Sequence, residues 1–327
     1  MPKRTVKPPA NRNLHAAKRA KNDEFYTQLA DIENELRHYK KHFEGKVVLC
    51  NCDDPLESNF VKYFTLNFEH LGLKKLIATH YKESNLFSKE PPYKLEYTGD
   101  KDGNKVPDLE EFVVEMLDDG DFRSPECEEL LFEADIVVTN PPFSLFREYV
   151  DQLMLFEKEF VILGHLNAIA YKEIFPLLKE NRMWLGPSIA SGGREFEVPK
   201  DFVDVDKFTG EIRDGRYYQV VMAVRWFTNL SHKKRAEKLT LYKEYSPKEY
   251  PKYDNYDAIE VSKVSDIPMN YKGVMGVPIN FMDKYNPAQF EIVGSNRGID
   301  QDPNGIYGRS SFIKGKETYK RLFINSR

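Results

Sequence analysis

Four short apolar runs constrain this chain more than anything else in it: Val47-Val48-Leu49-Cys50, Leu76-Ile77-Ala78-Thr79, Ile136-Val137-Val138 and residues 160–164. Each is too short for a stable helix and reads as a strand buried on both faces. Segments of helical period lie between them. Residues 31–43 predict a helix before the first strand. Residues 60–71 predict another after it, with Ser58 and Asn59 as caps and Gly72 as the stop. Residues 145–156 predict a third after the Ile136 run. Strands alternating with helices predict an α/β fold, doubly wound around a mostly parallel sheet. Residues 84–103 are polar and turn-rich and read as an excursion. After Trp184 the texture changes: residues 217–228 read as a strand, and the stretch from Tyr242 shows little helical period.

At 327 residues the chain can bury a full core. No apolar run approaches the roughly 18 residues of a membrane span, and the basic N-terminus lacks the apolar segment of a signal peptide. Cys50, Cys52 and Cys127 are too few for a disulfide framework, and no Cys/His spacing suggests zinc, so no metal and a reducing cytoplasm are expected. The net charge is −4, but its distribution is uneven. Residues 3–21 carry Lys3, Arg4, Lys7, Arg12, Lys18, Arg19 and Lys21 without one acid, and the C-terminus is basic again. Acids cluster at Asp118, Asp119, Asp121, Glu126, Glu128, Glu129 and Glu133. A polyanion would meet the two ends and avoid the middle. The alternative for each charged run is an ordinary solvated face.

The third strand ends in Asn140-Pro141-Pro142-Phe143. In open α/β sheets ligands bind beyond the carboxyl ends of strands, so this turn stands where chemistry is expected. Asn-Pro-Pro-aromatic at that place resembles the catalytic turn of S-adenosylmethionine-dependent amino methyltransferases, above all those acting on N6 of adenine. An exocyclic adenine amine is a poor nucleophile because its lone pair is delocalised into the ring. A side-chain carbonyl and a backbone carbonyl that accept its two N–H groups draw the nitrogen towards tetrahedral geometry. Proline fixes φ and removes a competing donor, and Phe143 offers a face on which the base can stack. None of the cysteines follows a proline, which speaks against methylation at cytosine C5.

Longer runs carry a closer likeness: Asn22-Asp23-Glu24-Phe25-Tyr26-Thr27-Gln28, Asp31-Ile32-Glu33-Asn34-Glu35-Leu36, Cys50-Asn51-Cys52-Asp53-Asp54-Pro55, Gly120-Asp121-Phe122-Arg123-Ser124, residues 140–149, residues 253–259 and residues 273–278. In these the chain resembles the EcoRI-type family of adenine-specific DNA methyltransferases over nearly its whole length. The resemblance implies a class I, Rossmann-like methyltransferase sheet in residues 23–186. It makes residues 1–22 a flexible basic arm, and residues 187–327 the end of the sheet plus a DNA target-recognition region. It implies S-adenosylmethionine as cofactor, held by Phe25, Tyr26 and Thr27 at its methionine end. Asp53 or Asp54 would hold its ammonium, and Asp121 with Phe122 its adenine.

The glycine-rich loop usual after the first strand is replaced by Leu56-Glu57-Ser58-Asn59, and Thr79-His80-Tyr81-Lys82-Glu83 at the end of the second strand has no acid in the first positions, where a ribose-binding carboxylate is common. The ribose ligand therefore stays open. The implied partner is double-stranded DNA, with the target base extruded from the stack, and a cognate endonuclease acting separately on the same site. The enzyme is expected to be a monomer and to have no membrane contact. Arg4, Lys7, Arg12, Lys18 and Arg19 in the arm, Arg194 in the loop Ser191 to Arg194, and Lys233, Lys234 and Arg235 are the candidate DNA contacts, the last two groups for filling the gap left by the base or gripping phosphates. Competing readings are a protein glutamine or RNA methyltransferase, which usually shows the glycine-rich loop, and an inactive DNA-binding fold, whose catalytic turn would be broken. Cytosine-N4 chemistry more often shows Ser or Asp before the two prolines.

Overall fold

In the computed structural model the described residues are 26–81, 91–104, 107, 109–190, 193–198, 203, 208–297 and 306–327. The arm at 1–22 and Phe25 lie outside them. The first strand, β1 (Tyr26–Thr27), stands apart from the main sheet. That sheet takes up β2 (Val47–Cys50), β3 (Lys75–His80), β4 (Tyr93–Tyr97) and β5 (Val113–Met116). It then takes β6 (Ile136–Thr139), β7 (Glu159–His165) and β8 (Trp184–Leu185). Next, β9 (Arg194–Val198), β10 (Glu211–Arg213) and β11 (Arg216–Val221) form an antiparallel sheet of order β1-β9-β11-β10. The chain then returns with β12 (Val224–Thr228), and the large sheet is ordered β5-β4-β3-β2-β6-β7-β12-β8.

The heart of the sheet, β3-β2-β6-β7, is parallel throughout. β4 and β12 run against the other strands, so the predicted mostly parallel sheet is mixed at both sides. Its strands alternate their side chains between two cores. Val48, Cys50, Ile136, Val138, Val161 and Leu163 face helices α1 (Leu29–Leu36), α2 (Lys40–Phe43), α3 (Asn59–Leu66) and α4 (Phe68–Leu71). Leu49, Val137, Phe160 and Ile162 face α5 (Pro125–Glu133), α6 (Phe146–Leu155) and α7 (Phe175–Lys179).

That second core continues without a break into the C-terminal region through Ile259, Met275, Phe281 and Ile324. There β13 (Ala258–Glu260), β14 (Val274–Pro278), β15 (Phe290–Ser295) and the last strand build a further sheet. A short hairpin of β16 (Phe312–Ile313) and β17 (Lys316–Glu317) precedes β18 (Arg321–Ser326), and the order is β13-β14-β18-β15.

Four segments differ from their prediction. The stretch 84–103, read as an excursion, contributes β4 to the large sheet, where it pairs with β3. The helix at 31–43 is two helices, because Tyr39 turns inward and donates its hydroxyl to Glu35 Oε1 at 2.7 Å. The helix at 60–71 breaks at Asn67, whose side chain donates back to Tyr63 O at 2.8 Å. Ser58 caps α3 through Phe60 N, and Gly72 at φ 65° ends α4, as the sequence indicates. The strand at 217–228 is two strands in two sheets, parted at Ala223, which adopts φ 59°.

Candidate functional site

From β2 the chain crosses to β3 on one side, and it later returns to β6 on the other. The carboxyl ends of β2 and β6 therefore flank the point where the winding reverses, the crevice in which open sheets hold ligands. Asn51, Cys52, Asp53 and Asp54 leave one strand there, and Asn140, Pro141, Pro142 and Phe143 leave the other. Asn140 and Pro141 are buried, while Pro142 and Phe143 are partly exposed. The Pro142 carbonyl accepts Leu145 N at 2.9 Å, so the turn is tied directly to the start of α6.

The predicted cofactor residues gather along this edge. β1 is paired with β9, and Asn59 at the start of α3 donates its amide to Thr27 O at 2.8 Å. Its neighbour Ser58 donates its hydroxyl to Asp53 Oδ2 at 3.1 Å. Burial pushes the Asp53 carboxyl up to about 7; the Ser58 hydroxyl opposes that shift, and Asp54 adds to it. Asp54 turns the other way, towards the end of β3. Its Oδ1 accepts from Tyr93 Oη at 3.0 Å and Leu56 N at 2.9 Å, and its Oδ2 lies 3.4 Å from His80 Nδ1. An acid of the β2 loop thus lies against the end of β3.

Asp121 and Phe122 reach the same edge through Gly120. A Cβ there would stand 2.3 Å from His80 O, and the backbone has φ +69°, so only glycine lets this loop lie against β3. Glu126 accepts the N–H groups of Asp118, Asp119 and Gly120 and keeps the loop in place. The Asp121 carboxylate is engaged by Arg123 Nε at 2.8 Å and Nη2 at 2.6 Å, which holds it below its ordinary range. Phe122 is buried, edge-on to Tyr149 with centroids 5.0 Å apart.

Two residues that the sequence reading did not single out join these parts. Tyr149 on α6 is fully buried and donates to Asn51 Oδ1, which also takes the Cys52 thiol at 3.6 Å. Tyr149 shares an apolar helix face with Phe146, Val150 and Leu153. A buried tyrosine tip needs a polar partner, and that was the available signal.

The candidate DNA contacts fare differently. Arg194 is 1% exposed, donates to Asp31 Oδ1 at 2.9 Å and to Ser188 O at 2.7 Å, and its guanidinium lies 5.7 Å from the Trp226 ring centroid. It fastens the small sheet to α1 and offers nothing to a phosphate. The run Lys233, Lys234, Arg235 follows β12, and β12 is antiparallel to β7, so the run lies at the amino edge of the sheet, opposite the catalytic turn. Lys234 donates to Pro187 O at 2.7 Å, and Arg235 donates to Asn181 Oδ1 at 2.7 Å over the Trp184 ring. Burial withdraws Arg194 from any outside partner, and strand direction sets the edge at which the Lys233 run lies; local charge reveals neither. Arg4, Lys7, Arg12, Lys18 and Arg19 lie outside the described residues, as do Ser191 and Gly192. Among the described residues no helix is long and apolar enough to cross a membrane.

The type II methyltransferase M.EcoRI of Escherichia coli is 47% identical over 321 residues, covering 95% of this chain and 98% of the relative. M.MpnI of Mycoplasma pneumoniae, also a type II methyltransferase, is 39% identical over 327 residues, covering 96% of this chain and 98% of the relative. M.MgeORF184P of Mycoplasma genitalium is 39% identical over 285 residues, 86% of this chain and 85% of the relative. No solved structure matches the chain. The family model described as adenine-specific methyltransferase EcoRI matches residues 13–326. With an intact Asn-Pro-Pro-Phe turn at the switch point and a match from end to end, the chain belongs to the EcoRI family of adenine-specific methyltransferases.

Proposed function

We propose that this enzyme is the modification half of a restriction–modification system and methylates N6 of adenine within a specific duplex DNA sequence. One observation carries the reading: the Asn140-Pro141-Pro142-Phe143 turn faces the acid-bearing β2 loop across the point where the sheet reverses its winding. The fold is read as a class I methyltransferase sheet, with the target-recognition part in residues 187–327 and the enzyme acting as a monomer. S-adenosylmethionine, when bound, supplies an electrophilic sulfonium methyl.

The residues present suit a cationic ligand. Asp53 is a partly buried acid whose neutral form is favoured only until a positive group arrives, and an ammonium beside it would restore the carboxylate. Asp53 and Thr27, joined through Ser58 and Asn59, would hold the methionine end together with Tyr26 and Phe25. Asp54, steadied by Tyr93 and His80 at the end of β3, would take the ribose hydroxyls. Asp121 and Phe122 would border the adenine ring of the cofactor.

On the other side of the crevice, the Asn140 amide oxygen and the Pro141 carbonyl would accept the two N–H groups of the target amine. Proline restricts the backbone of this turn, so the acceptors would favour the pyramidal nitrogen over the planar one and lower the barrier rather than merely bind substrate. Phe143 would stack on the extruded base, at an unstacking cost of a few kcal/mol recovered elsewhere in the complex. The test is to incubate the protein with methyl-labelled S-adenosylmethionine and plasmid DNA, then digest the DNA to nucleosides. Label in N6-methyladenine at one short sequence is expected. Label in N4-methylcytosine, or in RNA or protein but not DNA, overturns the reading.

A further inference from the structure

β7 lies next to β6 in parallel, with Ile162 opposite Thr139, so residues 163–165 run level with the catalytic turn one strand over. The contact is close: a Cβ on Gly164 would stand 2.4 Å from the ring of Phe146, the first residue of α6. Just beyond, Asn167 projects from the short helix at Leu166–Ala170. Its side-chain oxygen accepts from Lys320 Nζ at 3.1 Å. Lys320, 153 residues away, immediately precedes β18, and this bond brings the start of that strand to the carboxyl edge.

The surroundings of Lys320 are unusual for a partly buried cation. Its neighbours are neutralised, Arg321 by Glu260 at 2.6 Å and Arg297 by Glu317 at 3.1 Å. Among the described residues no carboxylate pairs with Lys320 itself, and its polar partner is a neutral amide. Burial, reinforced by the charge of Arg297, lowers its affinity for a proton. His165 beside it is lowered too, by burial and then by the charges of Lys320 and Arg225. A cation kept partly out of water, with no counter-ion among the described residues, is costly unless an anion arrives from outside. The anion that must approach this edge is the nucleic acid backbone, whose phosphates fix the register of a bound duplex.

We propose that Lys320, held on the Asn167 amide at the end of β7, grips a phosphate of the DNA strand whose adenine enters the catalytic turn. This rests on the DNA reading above. In this arrangement the C-terminal sheet acts on the reacting strand beside the target nucleotide, and Asn167 is a positioning residue that aims the ammonium.

The experiment compares the full-length enzyme with Lys320→Gln and Lys320→Arg on duplexes carrying one neutral methylphosphonate linkage, moved step by step past the target adenine. Lys320→Gln should weaken duplex binding about tenfold, the worth of one charge-assisted contact. It should also flatten the slope of log K against log salt by about 0.9. Lys320→Arg should restore most of both. One linkage should weaken the wild type yet leave Lys320→Gln no worse, because the partner is already gone. Losses that add at every linkage, an unchanged salt slope, or a change in S-adenosylmethionine affinity without DNA would overturn the assignment alone. A wild type that binds and methylates no duplex overturns it together with the reading it rests on.

Discussion

Tyr149 donates its hydroxyl to Asn51 Oδ1 at 2.5 Å, joining residues 98 positions apart across the switch point. One belongs to the helix that follows the catalytic turn and the other to the loop that follows β2, so the bond sets the distance between the two halves of the crevice. Tyr149→Phe keeps the ring against Phe122 and removes only this link. It should cost about 1–3 kcal/mol of stability in urea unfolding, the penalty of a buried acceptor losing its donor. The KM for S-adenosylmethionine should rise while the KM for DNA stays, a split that a purely structural bond would not produce. Unchanged values of both would show the two halves to be held by packing alone.

Asn140→Ala removes an acceptor whose benefit grows as the target nitrogen pyramidalises. Turnover should fall about 10²–10³-fold, as when one preorganised hydrogen-bond partner of a transition state is lost. Cofactor and DNA affinities should change little, since neither ground state depends on this oxygen. Single-turnover methylation of a labelled duplex measures the step; a rate near that of the wild type would place the chemistry elsewhere.

Asp53 should make cofactor binding sensitive to pH. Burial raises its carboxyl from the ordinary acid range to about 7. An acid with a raised value contributes stability that is fully present below its unfolded value and is lost as pH rises through about 7. A bound ammonium reverses the preference, so affinity should climb as pH rises to about 7 and level off above it, with a proton released on binding below that point. Calorimetry from about pH 5.5 to about pH 8.5 in two buffers of different ionisation enthalpy reads both quantities. Asp53→Asn should flatten the profile; an equal slope in the variant would assign the titration to another group.

Arg194 and Lys233 separate burial from charge. Arg194→Ala leaves Asp31 without its partner inside the α1 contact, and breaking such a pair costs about 3–5 kcal/mol. Its effect should appear in unfolding, and the salt dependence of DNA binding should stay as it was. Lys233→Ala, an exposed change at the amino edge, should alter neither. A salt slope flatter by about one unit in Lys233→Ala would mean that DNA reaches round to that edge.

Much of the crevice is legible in the chain. The strand ending at Thr139 and the turn at Asn140 are adjacent in sequence, and proline restricts its own backbone wherever it stands. The β2 acids lie directly after an apolar run. The polar cluster at the end of β3 is not legible, because Asp54 meets His80 and Tyr93 only after β3 and β4 have paired. Asn51 and Tyr149 are individually ordinary residues, and their bond exists only because β2 and α6 pack together.

The sequence by itself determined the parallel heart of the sheet, the caps of α3 and α4, the Asn-Pro-Pro-Phe turn and the family, since all of these depend on short-range periodicity or contiguous identity. Tertiary structure alone decided which cations are buried and which edge of the sheet each one occupies. Arg194 and Lys233 look alike as exposed cations in a one-dimensional reading. The first is drawn into a buried pair by Asp31, 163 positions earlier, and the second is carried to the far edge by the reversed direction of β12. Lys320 is left without a carboxylate among the described residues and set beside β7 by contacts of equal reach. Charge and hydrophobicity are properties of residues, but counter-ions and sheet edges are fixed by contacts between distant segments, which no local pattern encodes.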